Sequence, residues 1–154
     1  MDRLGFLIVD SARLLRAAFE RRIAQAGLGL TPGEARALLT IAAVDGSRQL
    51  DIAARMGVEP MTLCAYLDKL EGLGLVERQQ CAADRRAKRV NLTGASDEMI
   101  GSIRKELNAI LAQATDGLNE ENNRILREAL AVFNANLQTA APSAMLQTAS
   151  DENR

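Results

Sequence analysis

Five basic side chains and a single acid lie within residues 78–89, the stretch with the densest positive charge in the chain. They are Arg78, Arg85, Arg86, Lys88, Arg89 and the acid Asp84. Lysine and arginine bind phosphate oxygens through charge-assisted hydrogen bonds, so the chemistry that this stretch suggests is contact with a nucleic-acid backbone. Taken alone, a charge run of this kind is equally well explained as a solvated surface loop.

The charge balance of the whole chain is nearly neutral, with a net charge of −1 and a pI of about 5.6. Residues 1–93 hold fourteen Lys and Arg against eleven Asp and Glu, whereas residues 94–154 hold five against nine. Exposed charges further apart than roughly 8–10 Å are screened at physiological salt. A local basic cluster can therefore bind DNA despite the acidic second half.

The element directly before this stretch has the pattern of two short helices joined by a tight turn. An amphipathic helix is predicted over residues 49–56, and it ends at Gly57 because glycine tolerates the left-handed conformation past a last helical turn. Pro60 opens the next helix, since proline suits the first helical position. The first helix is predicted to bury Leu50, Ile52, Ala53 and Met56. Two helices linked this closely form a helix-turn-helix.

The second of these helices, predicted over residues 60–73, has one leucine face and one mixed face. Leu63, Leu67 and Leu70 share a side at helical spacing, which predicts that they anchor the helix to the core. Met61, Thr62, Ala65, Asp68 and Lys69 fall on the opposite side, with Tyr66 at the border. Such a helix can enter a DNA major groove, although an ordinary surface helix has the same pattern.

A hairpin is predicted immediately after the second helix. Residues 75–78 and 87–92 have strand patterns, and the polar residues 80–86 between them read as a loop. The basic stretch therefore lies on a hairpin directly after the helix predicted over residues 60–73, which is the arrangement of a wing. Together the two elements favour DNA binding.

The rest of the chain is predicted to be helical. A first helix is expected over residues 4–26. A second begins after Thr31, which can form a capping box with Glu34. Two long helices are expected after Gly94, and the last of them is capped by Asn119 and stopped by Pro142. Their apolar faces exceed what isolated helices tolerate, which favours a dimerisation bundle; the alternative is that they fold back on the core of one monomer. We expect a mainly α single domain, 1–154, with a DNA-binding lobe at 30–93, a dimerisation region at 1–29 and 94–141, and a tail at 142–154.

Several classes of protein are disfavoured by composition. No run of about 18 apolar residues could span a membrane, and no signal-peptide pattern begins the chain, so a cytoplasmic protein is expected. The chain has no histidine, so a histidine-based metal site or pH switch is excluded. An enzyme is not expected, because Cys64 and Cys81 have no histidine partner and there is no glycine-rich phosphate loop. No cofactor is predicted.

The ordered set of these motifs resembles the MarR (multiple antibiotic resistance regulator) family of winged-helix transcription factors over nearly the whole chain. The matching segments are Leu30-Thr31-Pro32, Gln49 to Val58, Leu67 to Arg78, Asp84-Arg85-Arg86 and Val90-Asn91-Leu92-Thr93.

The resemblance implies a homodimer, expected to be a repressor, that places two recognition helices in successive major grooves of a pseudo-palindromic operator and two wings in the flanking minor grooves. Arg86 would enter the minor groove with Asp84 orienting it. Arg85, Lys88 and Lys69 are then assigned to phosphates. Thr62, Ala65 and Tyr66 are assigned to the groove floor or its walls.

The sequence departs from the family at Ala65 and Tyr66, where relatives commonly have Thr and Arg, so the operator sequence stays open. Tyr66 is expected to contact a phosphate or a thymine methyl group. The resemblance further implies a small aromatic or lipophilic effector, bound in a cleft between the dimerisation bundle and the winged region. Two alternatives remain at this point: a winged-helix protein-interaction module without DNA binding, and a redox role for Cys64 or Cys81.

Overall fold

A computed structural model describes residues 3–83 and 87–140 of the chain. Its elements, in order, are α1 (Arg3–Ala26), α2 (Pro32–Ala43), α3 (Gln49–Met56), α4 (Pro60–Gly72), β1 (Val76–Gln80), β2 (Lys88–Leu92), α5 (Ser96–Ala114) and α6 (Glu120–Ala140). The predicted fold class, a mainly α winged helix-turn-helix with a small antiparallel sheet, is confirmed. The predicted helix stop at Pro142 and the tail 142–154 lie outside the described residues.

The chain forms two compact units, Met1–Gln113 and Ala114–Arg154. The first contains the helix-turn-helix, the two strands, α1 and nearly all of α5. The second contains α6.

Helix α2 lies at the centre of the first unit and contacts α1, α3, α4 and β2. It begins with the predicted capping box: the Glu34 backbone N–H donates to Thr31 Oγ1 at 3.2 Å, and the Thr31 N–H donates to Glu34 Oε2 at 2.9 Å. The core around α2 is mainly aliphatic, because the chain has only three Phe, one Tyr and no Trp. Its fully buried large side chains include Ile23, Leu38, Ile41, Ile52, Leu63, Leu67, Leu70, Val76, Val90 and Ile103.

Helix α3 corrects one predicted burial. Ile52, Ala53 and Met56 are buried as predicted, but Leu50 is 67% exposed, so its predicted burial is wrong. At about 100° per residue, the three buried side chains share one side of the helix and Leu50 lies well over 90° from their mean direction. The periodicity of the helix thus excludes Leu50 from the face that α3 turns to the core.

Strands β1 and β2 form an antiparallel pair whose register runs from Val76 opposite Leu92 to Gln80 opposite Lys88. The segment before α3 attaches to the outer edge of β2. Gly46 N–H donates to the Val90 carbonyl at 2.9 Å, and Val90 N–H donates to the Ser47 carbonyl at 3.0 Å. These bonds tie the hairpin to the start of the helix-turn-helix.

Helix α1 is buried only toward its C-terminal end, at Phe19 and Ile23. An ion pair of 2.8 Å joins Arg22 of α1 to Glu106 of α5. The N-terminal part of α1 instead presents large apolar side chains to solvent, namely Leu4, Phe6, Leu7, Val9, Leu14 and Leu15.

Helix α6 of the second unit is capped as predicted, since the Asn122 N–H donates to Asn119 Oδ1 at 2.8 Å. None of the residues 120–140 that form it is buried. Its exposed apolar side chains are Ile125, Leu126, Leu130, Val132, Phe133 and Leu137. Within the described ranges, no helix has the length and apolar character needed to cross a membrane.

Candidate nucleic-acid interface

Helix α4 packs three leucines into the core and presents its other side to solvent. Leu63, Leu67 and Leu70 are completely buried, as their spacing predicts. The turn into the helix is short because Gly57 adopts φ +66°, a left-handed conformation that glycine tolerates, and because Pro60 occupies the first helical turn. The helix is therefore anchored to the core by one face, and its outer face is exposed to solvent.

The outer face of α4 carries three of the eight residues assigned to DNA from the sequence. Thr62, Ala65 and Lys69 are exposed there, and Met61 is exposed beside them. Their contact with DNA remains a prediction, but each side chain lies where an approaching duplex could reach it.

Tyr66 lies elsewhere than on the open face. It is half-buried, and its ring packs over Gly33 in the first turn of α2. A Cβ atom added to Gly33 would overlap the Tyr66 hydroxyl and come within 2.9 Å of Cε1. Sequence reasoning placed Tyr66 at the border of the helix but could not identify its partner, because Gly33 belongs to a different helix.

Arg78 of β1 binds helix α4 through two carboxylates. Its Nη2 atom lies 2.5 Å from Asp68 Oδ1 and 3.2 Å from Glu71 Oε1, and its backbone N–H donates to Glu71 Oε2 at 3.0 Å. The guanidinium hydrogen-bonds Glu71 and holds the pKa of that carboxyl below its ordinary value. The same bond, aided by Asp68, raises the pKa of Arg78 further above its usual range.

The contacts of Arg78 with Asp68 and Glu71 change the interpretation of the basic stretch at residues 78–89. Only 13% of the Arg78 side chain is exposed, and its guanidinium is engaged with the two acids of α4 rather than presented to phosphates. Arg89 is also engaged, since its Nη1 atom donates to the Gly46 carbonyl at 2.9 Å. Lys88, at the start of β2, is exposed.

The tip of the wing follows the paired strands. Cys81 N–H donates to the Ala87 carbonyl at 2.8 Å, which closes the hairpin beyond the last paired residues. The predicted DNA contacts Asp84, Arg85 and Arg86 lie outside the described residues. The ion pair expected between Asp84 and Arg86 therefore stays a prediction.

A cleft of about 320 Å³ opens on the same unit, between α1, α2 and α5. It is lined by Ala12, Leu15, Arg16, Phe19, Arg36, Leu39, Thr40 and Leu107. Most of these side chains are apolar, and two are arginines. Arg36 is oriented by a hydrogen bond from Nη2 to the Met56 carbonyl at 3.3 Å, so it links the cleft to the end of α3.

Comparisons with known proteins agree with this architecture. A sequence profile of the MarR family matches residues 28–87. The transcriptional regulator PA3341 is 32% identical, with a TM-score of 0.68 over 88% of this chain and 98% of that one. The chain belongs to the MarR family.

Three further solved structures share this fold. MarR itself is 24% identical, with a TM-score of 0.76 over 91% of this chain and 96% of that one. The transcriptional repressor CouR, solved with a 23-mer DNA duplex, is 27% identical, with a TM-score of 0.65 over 84% of this chain and 91% of that one. CouR from Rhodococcus jostii RHA1 has also been solved with p-coumaroyl-CoA, at 22% identity and a TM-score of 0.66 over 84% and 89% of the two chains.

Membership in the MarR family gives the elements their roles. Helices α3 and α4 are the helix-turn-helix, and the β1–β2 hairpin is the wing. Arg16 and Arg36 of the cleft were not singled out from the sequence. The signal that could have found Arg36 is its position between Ala35 and Ala37 on a helix whose other side chains are largely apolar.

Both cysteines of this MarR-family chain are half-buried thiols near the predicted DNA surface. Cys64 Sγ accepts hydrogen bonds from Gln49 Nε2 at 3.4 Å and from Arg78 Nη1 at 3.8 Å. A redox role for Cys64 or Cys81 stays a prediction. In the described part of the chain, no group of three or more potential metal ligands occurs.

Proposed function

We propose that this MarR-family regulator is a homodimeric repressor that binds a pseudo-palindromic DNA operator in the cytoplasm and is released by a small-molecule ligand. Recognition helix 60–73 would enter the major groove and wing 78–91 the minor groove. Members of this family are transcription factors and not enzymes, and we propose the same of this chain. The observation that carries the proposal is the seating of α4, with three fully buried leucines behind a free outer face.

The charges around α4 support DNA binding. Arg78 offsets one of the two negative charges of Asp68 and Glu71, which reduces the repulsion that these carboxylates on the recognition helix would exert on phosphates. Lys69 and Lys88 stay exposed and are assigned to phosphates.

The other contacts with DNA are proposed as they were assigned from the sequence. Arg85 would bind a phosphate, and Arg86, oriented by Asp84, would enter the minor groove. Thr62 and Ala65 would face the major-groove floor. Tyr66 would contact a phosphate or a thymine methyl group at the edge of the outer face, and its ring also packs between α4 and α2.

A homodimer is supported by apolar surface that each unit leaves uncovered. Helix α1 exposes Phe6 at 66% and Val9 at 70%, and α6 exposes Val132 at 62%. Removal of apolar surface from water favours association. We propose that α1 and α6 contribute to the contact with a second copy, which is the arrangement expected from the sequence.

The cleft between α1, α2 and α5 supports a small aromatic or lipophilic effector. Its walls are mostly apolar, while Arg16 and Arg36 provide positive charge suited to an anionic group. We propose that the effector is an amphiphilic anion of this kind. Because Arg36 also holds the end of α3 through the Met56 carbonyl, a ligand at Arg36 has a direct route to the helix-turn-helix.

The test is a binding titration by fluorescence anisotropy, using full-length protein and duplexes selected from random DNA. With Lys69, Arg85 and Lys88 on phosphates in both protomers, the slope of log K against log salt should be about −5. Raising the salt from about 50 to 200 mM should then weaken binding by roughly 10³-fold. A flat salt response, or failure to select any duplex, would refute DNA binding and favour the protein-interaction module.

A further inference from the structure

Met61 is the most exposed large apolar side chain among the described residues, at 85% exposure. It occupies the first turn of α4, four residues before Ala65, so the two share one side of the helix. At about 100° per residue, that side lies opposite the buried leucines. The centre of the outer face is therefore apolar.

The polar groups of α4 that border this centre are mostly engaged. Asp68 and Glu71 bind Arg78, and Tyr66 packs over Gly33. By contrast, the side chains of Thr62 and Lys69 are exposed. The outer face thus offers an apolar strip with one hydroxyl and one ammonium beside it, together with the Asp68 carboxylate, which is paired with Arg78 but stays 67% exposed.

We propose that the strip formed by Met61 and Ala65 reads thymine C5-methyl groups in the major groove, an inference that rests on the proposed DNA-binding function. Thymine is the one base that presents a methyl group at the major-groove edge, and it is read by apolar contact. Methionine suits this role because its flexible, polarizable side chain adapts to an irregular surface. Each operator half-site would carry a thymine opposite the first turn of α4.

The size of the effect follows from one methyl group. Covering a single methyl group changes affinity by about fourfold at 25 °C. In a symmetric site that both protomers contact, removal of the methyl from both half-sites should weaken binding by about fifteenfold. This difference is within the range of an anisotropy titration.

The experiment replaces thymines of the selected operator by deoxyuridine, one symmetric pair at a time. Deoxyuridine lacks only the C5-methyl group and keeps the base pair and the O4 acceptor. At one or two pairs, the substitution should weaken wild-type binding by about fifteenfold. Met61→Ala should abolish most of that difference, whereas Met61→Leu should retain it. Lys69→Ala is the matched control, and it should weaken binding to both duplexes equally.

The outcomes separate this inference from the proposed function. Tight binding of the operator with no effect of deoxyuridine at any pair would overturn the inference while leaving DNA binding intact. Discrimination that persists undiminished in Met61→Ala would also overturn it. Absence of any selectable operator would overturn the proposed function, and the inference with it. Because Met61 is so exposed, its variants should melt within a degree or two of the wild type.

Discussion

Replacement of Gly33 by alanine should destabilise the protein, contrary to the usual effect of alanine in a helix. Gly33 does not have a positive φ, and Gly→Ala in a helix ordinarily stabilises by about 0.5–1 kcal/mol. Here the new methyl group would overlap the ring of Tyr66. Overpacking of this kind costs roughly 1–3 kcal/mol. The expected net loss is therefore up to about 2.5 kcal/mol in the free energy of unfolding.

The assay is urea denaturation, with tyrosine fluorescence as a second readout. Tyr66 is the only tyrosine and the chain has no tryptophan, so this emission reports on one ring. Gly33→Ala should increase quenching of that emission by acrylamide, because the displaced ring becomes more accessible. Gly101→Ala in α5 is the matched control: its Cβ would meet no atom within 4 Å, and it should stabilise by about 0.5–1 kcal/mol.

The effect of Gly33→Ala on the free energy of unfolding should change sign when Tyr66 is absent. In a Tyr66→Ala background the ring is gone, so adding Gly33→Ala should stabilise by about 0.5–1 kcal/mol. If Gly33→Ala stabilises the wild-type protein as much as Gly101→Ala does, the packing of Tyr66 on α2 is wrong.

Three further predictions concern the wing, the dimer and the DNA contact. Arg78→Gln should lower the free energy of unfolding by about 1–2 kcal/mol at pH 7, a modest figure because both carboxylate partners are partly exposed. Because Arg78 depresses the pKa of the Glu71 carboxyl, the stability difference between wild type and Arg78→Gln should persist above pH 4.5, the ordinary pKa of that carboxyl. It should shrink as the pH falls through the depressed pKa. Urea denaturation curves of the two proteins that stay equally separated in acid would contradict this prediction. Phe133→Asp on the apolar face of α6 should convert the dimer to monomer in sedimentation velocity, whereas Ala135→Asp on the opposite face should not, and equal behaviour of the two would disprove the α6 contact. Lys69→Ala should reduce the salt slope of operator binding by about 2 in the dimer, and an unchanged slope would remove Lys69 from the phosphate contacts.

Local signals explain why most elements could be predicted from the sequence. The Thr31–Glu34 capping box, Gly57 with its left-handed φ, and Pro60 all act within a few residues of the helix ends that they specify. The strand pattern of residues 87–92 in the wing is equally local. These features fixed α2, α3, α4 and the hairpin before any tertiary contact was known.

The parts of the site that escaped sequence reasoning depend on contacts between elements. Arg78 counts as one more basic residue until β1 is placed against Asp68 and Glu71 of α4. Tyr66 similarly meets Gly33 of α2, and the two arginines of the cleft come from α1 and α2. The periodicity that locates a helix face is local, but the identity of what covers that face is not.

Hydroxyl-radical footprinting of the selected operator tests the central claim most directly. A dimer that inserts two α4 helices into successive major grooves should protect two patches related by a twofold axis, with centres about 10 base pairs apart. Protection should extend outward from each patch into the flanking minor groove where the wing lies. A single protected patch without symmetry, or no protection at concentrations that saturate the anisotropy titration, would contradict the account.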